Sequence, residues 1–260
     1  MKGNARIIVF VGIVLIILLI VLLNMTVFTV KDVSVLNEVE SQFIDADKIL
    51  LDSGIKLGTN IFALSERKTS ERIELANSYL EVVAIERKFP NKVIIHVSVR
   101  IPLMAIKIKD SDSYAVVDGS LKILERVDST SSLYQTCTKV EGIEVTNFEI
   151  GNFLDKKNTY NARLNAISYV AENEMLNGIA FMNFFESISF NSENDVAMVK
   201  LRSGVTICLK GEYDAESKFR YALELYRHFG EQSFKRNSGY IYFKSSGEEM
   251  GWDWSETNPY

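Results

Sequence analysis

The chain has 260 residues, 47% of them hydrophobic, with 29 basic and 34 acidic side chains and a formal net charge of −5. Without Lys2 and Arg6 the balance is 27 basic to 34 acidic, a net of −7, with the signs mixed along the chain. This argues against nucleic acid or an anionic membrane surface as a partner, and two cysteines, Cys137 and Cys208, are too few for a disulfide framework.

Ile7 to Leu23 reads IIVFVGIVLIILLIVLL, and no charge falls between Arg6 and Lys31. As a helix, the uncharged run to Val30 would reach roughly 36 Å, enough for a hydrocarbon core of about 30 Å. A cleaved signal peptide is the alternative, but no small-x-small pattern stands near Leu22 to Met25. An uncleaved anchor is therefore expected. Lys2 and Arg6, with no acid before the span, predict a cytoplasmic N-terminus and put the remaining residues, roughly 230, outside.

Phe28 to Val35 is rich in β-branched residues and predicts a strand, with a turn beginning at Leu36, Asn37 and Glu38. Asp45 or Asp47 can cap a short helix through Leu51 that Gly54 stops, and Gly58, Thr59 and Asn60 make a turn before Ile61 and Phe62. A second helix is expected from about Ser65 to Asn77, with Ile73 and Leu75 as its sparse apolar positions. The runs LEVVAIERK and KVIIHVSVR flank Phe89, Pro90 and Asn91 and predict a β-hairpin. Val93, Ile95, Val97 and Val99 form its core face, His96 lies on the other face, and Pro102 ends the strand.

The order strand, helix, helix, strand, strand behind an anchor resembles the POTRA domain of the FtsQ/DivIB bacterial cell-division proteins. The motifs that carry the resemblance are Gly54-Ile55-x-x-Gly58-x-Asn60-Ile61-Phe62, Ile85 to Pro90, Ile95-His96-Val97 and Arg100-Ile101-Pro102. Asp118-Gly119 looks like that family's turn into its second domain.

Beyond it, Tyr114–Val117 and Leu121–Arg126 predict a hairpin, Asp128–Ser132 has the composition of a linker, and Thr138–Val145 carries strand signal. A helix is expected from about Lys156 to Leu176, with Tyr160, Leu164, Ile167 and Ala171 as a core stripe. Strands follow at Ile188–Phe190, Val196–Leu201 and Val205–Lys210, the last two joined at Arg202, Ser203 and Gly204. Asp214 caps a helix with Phe219, Ala222, Leu223, Tyr226 and Phe229 as its apolar stripe, ending at Gly230. A last strand, Gly239–Lys244, precedes a tail with Trp252 and Trp254. This half resembles the β domain that follows POTRA in the same family, most closely at Lys218-Phe219 and Gly239-Tyr240-Ile241.

The expected architecture is α+β. It comprises a cytoplasmic tail (1–6), a transmembrane helix (7–27), a POTRA domain (28–102), a β domain with a mostly antiparallel sheet (103–244) and a C-terminal tail (245–260).

Catalytic chemistry is not legible. His96 and His228 are the only histidines, and with Cys137 and Cys208 they lack the short spacing of a closed zinc site. Asp110-Ser111-Asp112-Ser113 begins like a calcium loop, but Ala115 stands where the turn needs glycine and Leu121 where a bidentate Glu belongs. No Gly-x-Ser-x-Gly, Ser-x-x-Lys, His-Glu-x-x-His or phosphate-cradling glycine loop occurs. No enzyme, cofactor or metal is expected.

A sheet edge at Gly239–Lys244 would instead offer unpaired backbone groups to another chain's strand. The expected binding residues are Gly239, Tyr240, Ile241, Tyr242, Phe243 and Lys244 with Trp252 and Trp254, aromatics being common interface anchors. The resemblance implies FtsB/DivIC-like and FtsL-like membrane partners, septal peptidoglycan synthases beyond them, and a scaffold role at the septum. A secretion or sporulation component bearing a POTRA domain, or an anchored cell-envelope enzyme, is the alternative.

Overall fold

The computed structural model describes residues 2–37, 41, 43–174, 183–211, 214–229, 237–244 and 251–260. Helix α1 runs from Lys2 to Thr26. Its Val9–Thr26 stretch has a mean hydropathy of 3.0 and none of it is buried against protein. Eighteen residues at about 1.5 Å each reach about 27 Å, long and apolar enough to cross a bilayer with its ends at the headgroups.

The chain divides into two compact units, Met1–Arg100 and Ile101–Tyr260. In the first, β1 (Asp32–Asn37), α2 (Ala46–Ser53), α3 (Glu66–Ala76), β2 (Leu80–Lys88) and β3 (Lys92–Val99) follow α1. The sheet order is β1-β3-β2, with β1 parallel and β2 antiparallel to β3.

Local chemistry explains the helix ends. The Asp45 carboxylate accepts from the Lys48 N–H (3.1 Å), and Gly54 takes φ 66° so that its N–H reaches the Leu51 carbonyl. Ser65 caps α3 in the same way. Val30, Ile49, Ile61, Ile73, Leu80, Val93, Ile95 and Val97 form the core. Of the two apolar positions read in α3, Ile73 is buried and Leu75 is 62% exposed. Phe28 to Lys31 are not strand as expected. They pair locally with the turn after α2, the Ile61 N–H donating to Phe28 O and the Val30 N–H to Thr59 O (both 2.8 Å).

In the second unit β4 (Met104–Ile108), β5 (Tyr114–Val117), β6 (Ile123–Val127), α4 (Ser132–Thr136), β7 (Thr138–Val145), α5 (Thr159–Glu174), β8 (Phe185–Asn191), β9 (Val196–Leu201), β10 (Val205–Lys210), α6 (Ala215–Phe229), β11 (Gly239–Lys244) and β12 (Gly251–Ser255) follow in order. Among the described residues they build a nine-stranded sheet ordered β12-β11-β10-β9-β8-β7-β4-β5-β6. The pairs β4–β7, β7–β8 and β10–β11 are parallel and the other five antiparallel. The expected α+β architecture with a mostly antiparallel second sheet is the one observed.

One face of this sheet buries α5 through Leu164, Ile167, Val170 and Ala171, and α6 through Phe219, Ala222, Leu223 and Tyr226. Toward the β6 end the opposite face is covered too, where Ala105, Val116, Val127 and Cys137 pack with Tyr114, Leu133 and Tyr134.

Three expectations are corrected here. Asp128–Ser132 is not a linker but the connection from β6 into α4, inside the unit, where the Ser113 hydroxyl donates to Asp128 (3.1 Å). Strand β4, buried at four of its five residues, has no counterpart in the expected elements. Residues 251–255 are strand β12 rather than tail. Glu38, Leu176 and Gly230, expected at a turn and two helix ends, lie outside the described residues.

Candidate functional site

Helix α6 carries the chain from β10 back to the start of β11, so that β10 and β11 run parallel, Val205 beside Gly239 and Cys208 beside Tyr242. Gly239 opens β11 at φ 99°. A Cβ there would stand 2.6 Å from Trp254 Nε1 and 2.7 Å from the Ser255 carbonyl oxygen. Only glycine lets β12 lie this close.

Pairing of Ile241 with Trp254 and of Phe243 with Trp252 puts these four side chains on one face. That is the α6 face: Ile241 is fully buried, and both indoles pack against the same core. Trp252 lies 6.1 Å from the Tyr221 ring and 5.6 Å from the Phe243 ring, and Trp254 Nε1 donates to Ser238 O (3.3 Å).

Tyr240, Tyr242 and Asp253 alternate to the other face. There the Tyr260 ring meets Tyr242 edge-on at 6.3 Å, Lys210 Nζ lies 5.0 Å over it, and the Tyr260 hydroxyl donates to Phe243 O (3.3 Å). Burial, together with the neighbouring Cys208 and Tyr242, holds the Tyr260 phenol above its ordinary pKa.

The sequence places an edge at Gly239–Lys244, whereas the structure puts that strand second from the edge, between β10 and β12. The edge is β12. Its Trp252 and Trp254 are half-buried rather than free in a tail, and Ile241 presents no surface. Tyr240, Tyr242 and Phe243 are half-buried and Lys244 is exposed.

The sheet's two ends differ. At β6 the chain returns to cover the strand: the Ile123 N–H donates to Asn152 O and the Gly151 N–H to Ile123 O (both 2.8 Å). Beyond β12 no described strand is paired. The Trp254 N–H instead donates to the Asp253 carboxylate (2.8 Å), so a chain joining the strand there must compete with an exposed acid.

Elsewhere the titratable groups are dispersed. His96 Nε2 lies 3.4 Å from Glu86 on the solvated face of the first sheet, and His228 is exposed in the last turn of α6. Both cysteines are free and buried, desolvation raising Cys137 to about 11 and Cys208 to about 12. No cluster of three or more His, Cys, Asp or Glu suited to a metal occurs among the described residues.

A three-stranded β-α-α-β-β unit follows an apolar helix long enough to cross a bilayer. Residues 28–99 match the family model described as "POTRA domain, FtsQ-type". The chain is 31% identical over 124 residues to "Cell division protein DivIB" of Clostridium tetani, covering 48% of this chain and 44% of that protein. It is 28% identical over 129 residues to the protein of the same name from Clostridium acetobutylicum, covering 50% and 49%. With the Clostridium botulinum protein of that name the identity is 24% over 206 residues, 75% of this chain and 71% of the relative. In the first two matches the chain spans about half the relative's length. Residues 28–99 thus carry an FtsQ-type POTRA domain, and the chain is similar to these DivIB proteins.

Proposed function

We propose that this protein is a non-enzymatic, single-pass scaffold of the cell-division machinery. In this reading its N-terminus is cytoplasmic, and both folded units lie outside the membrane at the septum. There they hold FtsB/DivIC-like and FtsL-like membrane proteins and so help control septal peptidoglycan synthesis. The expected division of the chain, 1–6, 7–27, 28–102, 103–244 and 245–260, is kept with one change: residues 251–255 join the β domain.

The observation that carries the reading is the β12 edge, beside which no described strand is paired, flanked by Trp252 and Trp254 on one face and by Tyr240 and Tyr242 on the other. An extended partner segment adding beside β12 would gain backbone hydrogen bonds and rest its side chains on these aromatics. Gly239, Ile241, Phe243 and Lys244 serve by holding β12 in place. Anchoring in a shared membrane raises the partners' effective concentration, so a modest affinity suffices.

Controlled depletion followed by microscopy, repeated near the upper growth temperature, tests the function. Long filaments with few septa are expected. Normal division under both conditions would remove the essential division role.

A further inference from the structure

Where α1 ends, the first folded unit gathers three phenylalanines. Phe28 comes two residues after Thr26, the last residue of the helix. Its ring centroid lies 5.4 Å from that of Phe62 and 6.4 Å from that of Phe89, and Phe62 and Phe89 are 5.3 Å apart. Phe28 is half-buried against the core of the unit, and the other two rings stand outside it. Phe62 is 56% exposed and Phe89 57%, and Leu57 on the same loop as Phe62 is 67% exposed.

The loop that carries Phe62 is tied to the helix exit. Asn60 Nδ2 donates to Asn24 O (3.0 Å) in the last turns of α1, and the Gly58 N–H donates to Val30 O (2.8 Å). Asn60 Oδ1 in turn accepts from the Phe62 N–H (2.8 Å), which fixes the direction of the ring's backbone. The turn that carries Phe89 is tied in the same way, the Lys31 N–H donating to Asn91 O (2.8 Å). Three separate stretches of chain thus present aromatic rings within a few residues of the point where the apolar helix stops.

Two exposed phenylalanines and an exposed leucine leave a patch of apolar area in water, whereas phenylalanine and leucine side chains of a membrane-surface element are buried at the boundary of hydrocarbon and headgroups. Residues 1–100 carry 11 acidic and 12 basic side chains, and near this cluster in sequence Lys31, Lys56 and Lys88 are basic and exposed, while Asp32 is paired with Lys92 (2.9 Å) and Glu66 with Arg87 (2.8 Å). Such a rim suits phosphate-bearing headgroups.

We infer that Phe28, Phe62 and Phe89 form an interfacial foot that rests in the headgroup region of the bilayer crossed by α1. The foot orients the POTRA unit on the membrane instead of leaving it to swing on the helix end. The inference rests on the reading of α1 as a membrane span.

The test uses the full chain, reconstituted alone in phosphatidylcholine and phosphatidylglycerol vesicles. Phe62→Cys, Phe89→Cys, Leu51→Cys and Leu18→Cys variants are each labelled with an environment-sensitive fluorophore. The native thiols, buried and weakly acidic, are spared at neutral pH. Nitroxide-bearing lipids then quench either near the headgroup or at the end of the acyl chain.

Labels at 62 and 89 should emit to the blue of the label at 51, which reports an 80% exposed position on α2, and lose most of their intensity to the shallow quencher. The label at 18 should be quenched by the deep one. Quenching at 18 with labels at 62 and 89 that behave like the one at 51 overturns the foot and leaves the span intact. An unquenched label at 18 overturns both. Circular dichroism of each variant establishes that the fold is kept.

Discussion

Replacing Gly239 with alanine isolates the close approach on which the β12 edge depends. At φ 99° an L side chain is disfavoured, and the new Cβ would lie 2.6 Å from Trp254 Nε1 and 2.7 Å from the Ser255 carbonyl oxygen. The backbone term costs about 1 to 2 kcal/mol, and forcing a methyl group into this contact adds about 1 to 3 kcal/mol. Since among the described residues β12 is paired on one side only, the strain is most cheaply relieved by β12 moving away from β11.

A local destabilisation of about 2 to 5 kcal/mol raises the open population of β12 roughly 30- to 5,000-fold. Hydrogen exchange followed by mass spectrometry on the full chain in detergent reads it directly: amides of 251–255 should exchange faster by that factor, while those of β9 and the POTRA sheet stay as they were. Unchanged protection of 251–255 would refute the claim that glycine at 239 seats the edge strand.

Further expectations follow from the buried polar groups. Arg163, 2% exposed, is held through Nη2 by the Asp195 carboxylate, and its buried Nε donates to no group among the described residues. Asp195→Ala should therefore lower the urea stability of the second unit by about 2 to 3 kcal/mol, the low end for a buried pair because Asp195 is itself half exposed. Arg100, whose side chain is 5% exposed, binds Glu74 (3.1 Å) and donates from Nε to Leu80 O (3.2 Å). Arg100→Ala should cost about 3 kcal/mol, read as faster amide exchange across β2 and β3. The two thiols set an alkaline limit. From an ordinary value of 9.0, burial raises Cys137 to about 11 and Cys208 to about 12. Below pH 9 both states are protonated and stability is unaffected. As pH rises from 9 toward 11 the unfolded chain ionises first, so the urea midpoint should fall, and a Cys208→Ala variant should fall less.

Local signals were readable wherever stability is local. Asp45 as a cap, Gly54 as a stop and Phe219, Ala222, Leu223 and Tyr226 of the α6 stripe all stand within a few residues of what they control, and each is found as expected. The POTRA order and the hairpin at Phe89-Pro90-Asn91 belong to the same class.

What failed were elements defined by distant partners. Met104–Ile108 is a short apolar run after Pro102 with no alternation to read, and it is a strand because β5 and β7 flank it. Gly251–Ser255 does alternate, Trp252 and Trp254 around Asp253, but five residues at the end of a polar stretch resemble a tail until β11 is beside them. The edge was misassigned for the same reason. Which strand lies outermost depends on the parallel crossover through α6, and nothing in Gly239–Lys244 itself records that another strand will cover it.

Whether a partner strand joins β12 is read most directly by a binding titration. The extracytoplasmic segment of the organism's own FtsB/DivIC-like protein should be titrated into the full chain and into a chain ending at residue 250, both in detergent, by calorimetry. Saturable binding to the full chain, weakened at least tenfold in the shortened one while the exchange pattern of the POTRA sheet is retained, is the predicted result. Equal affinity for both chains would show that the partner does not use this edge.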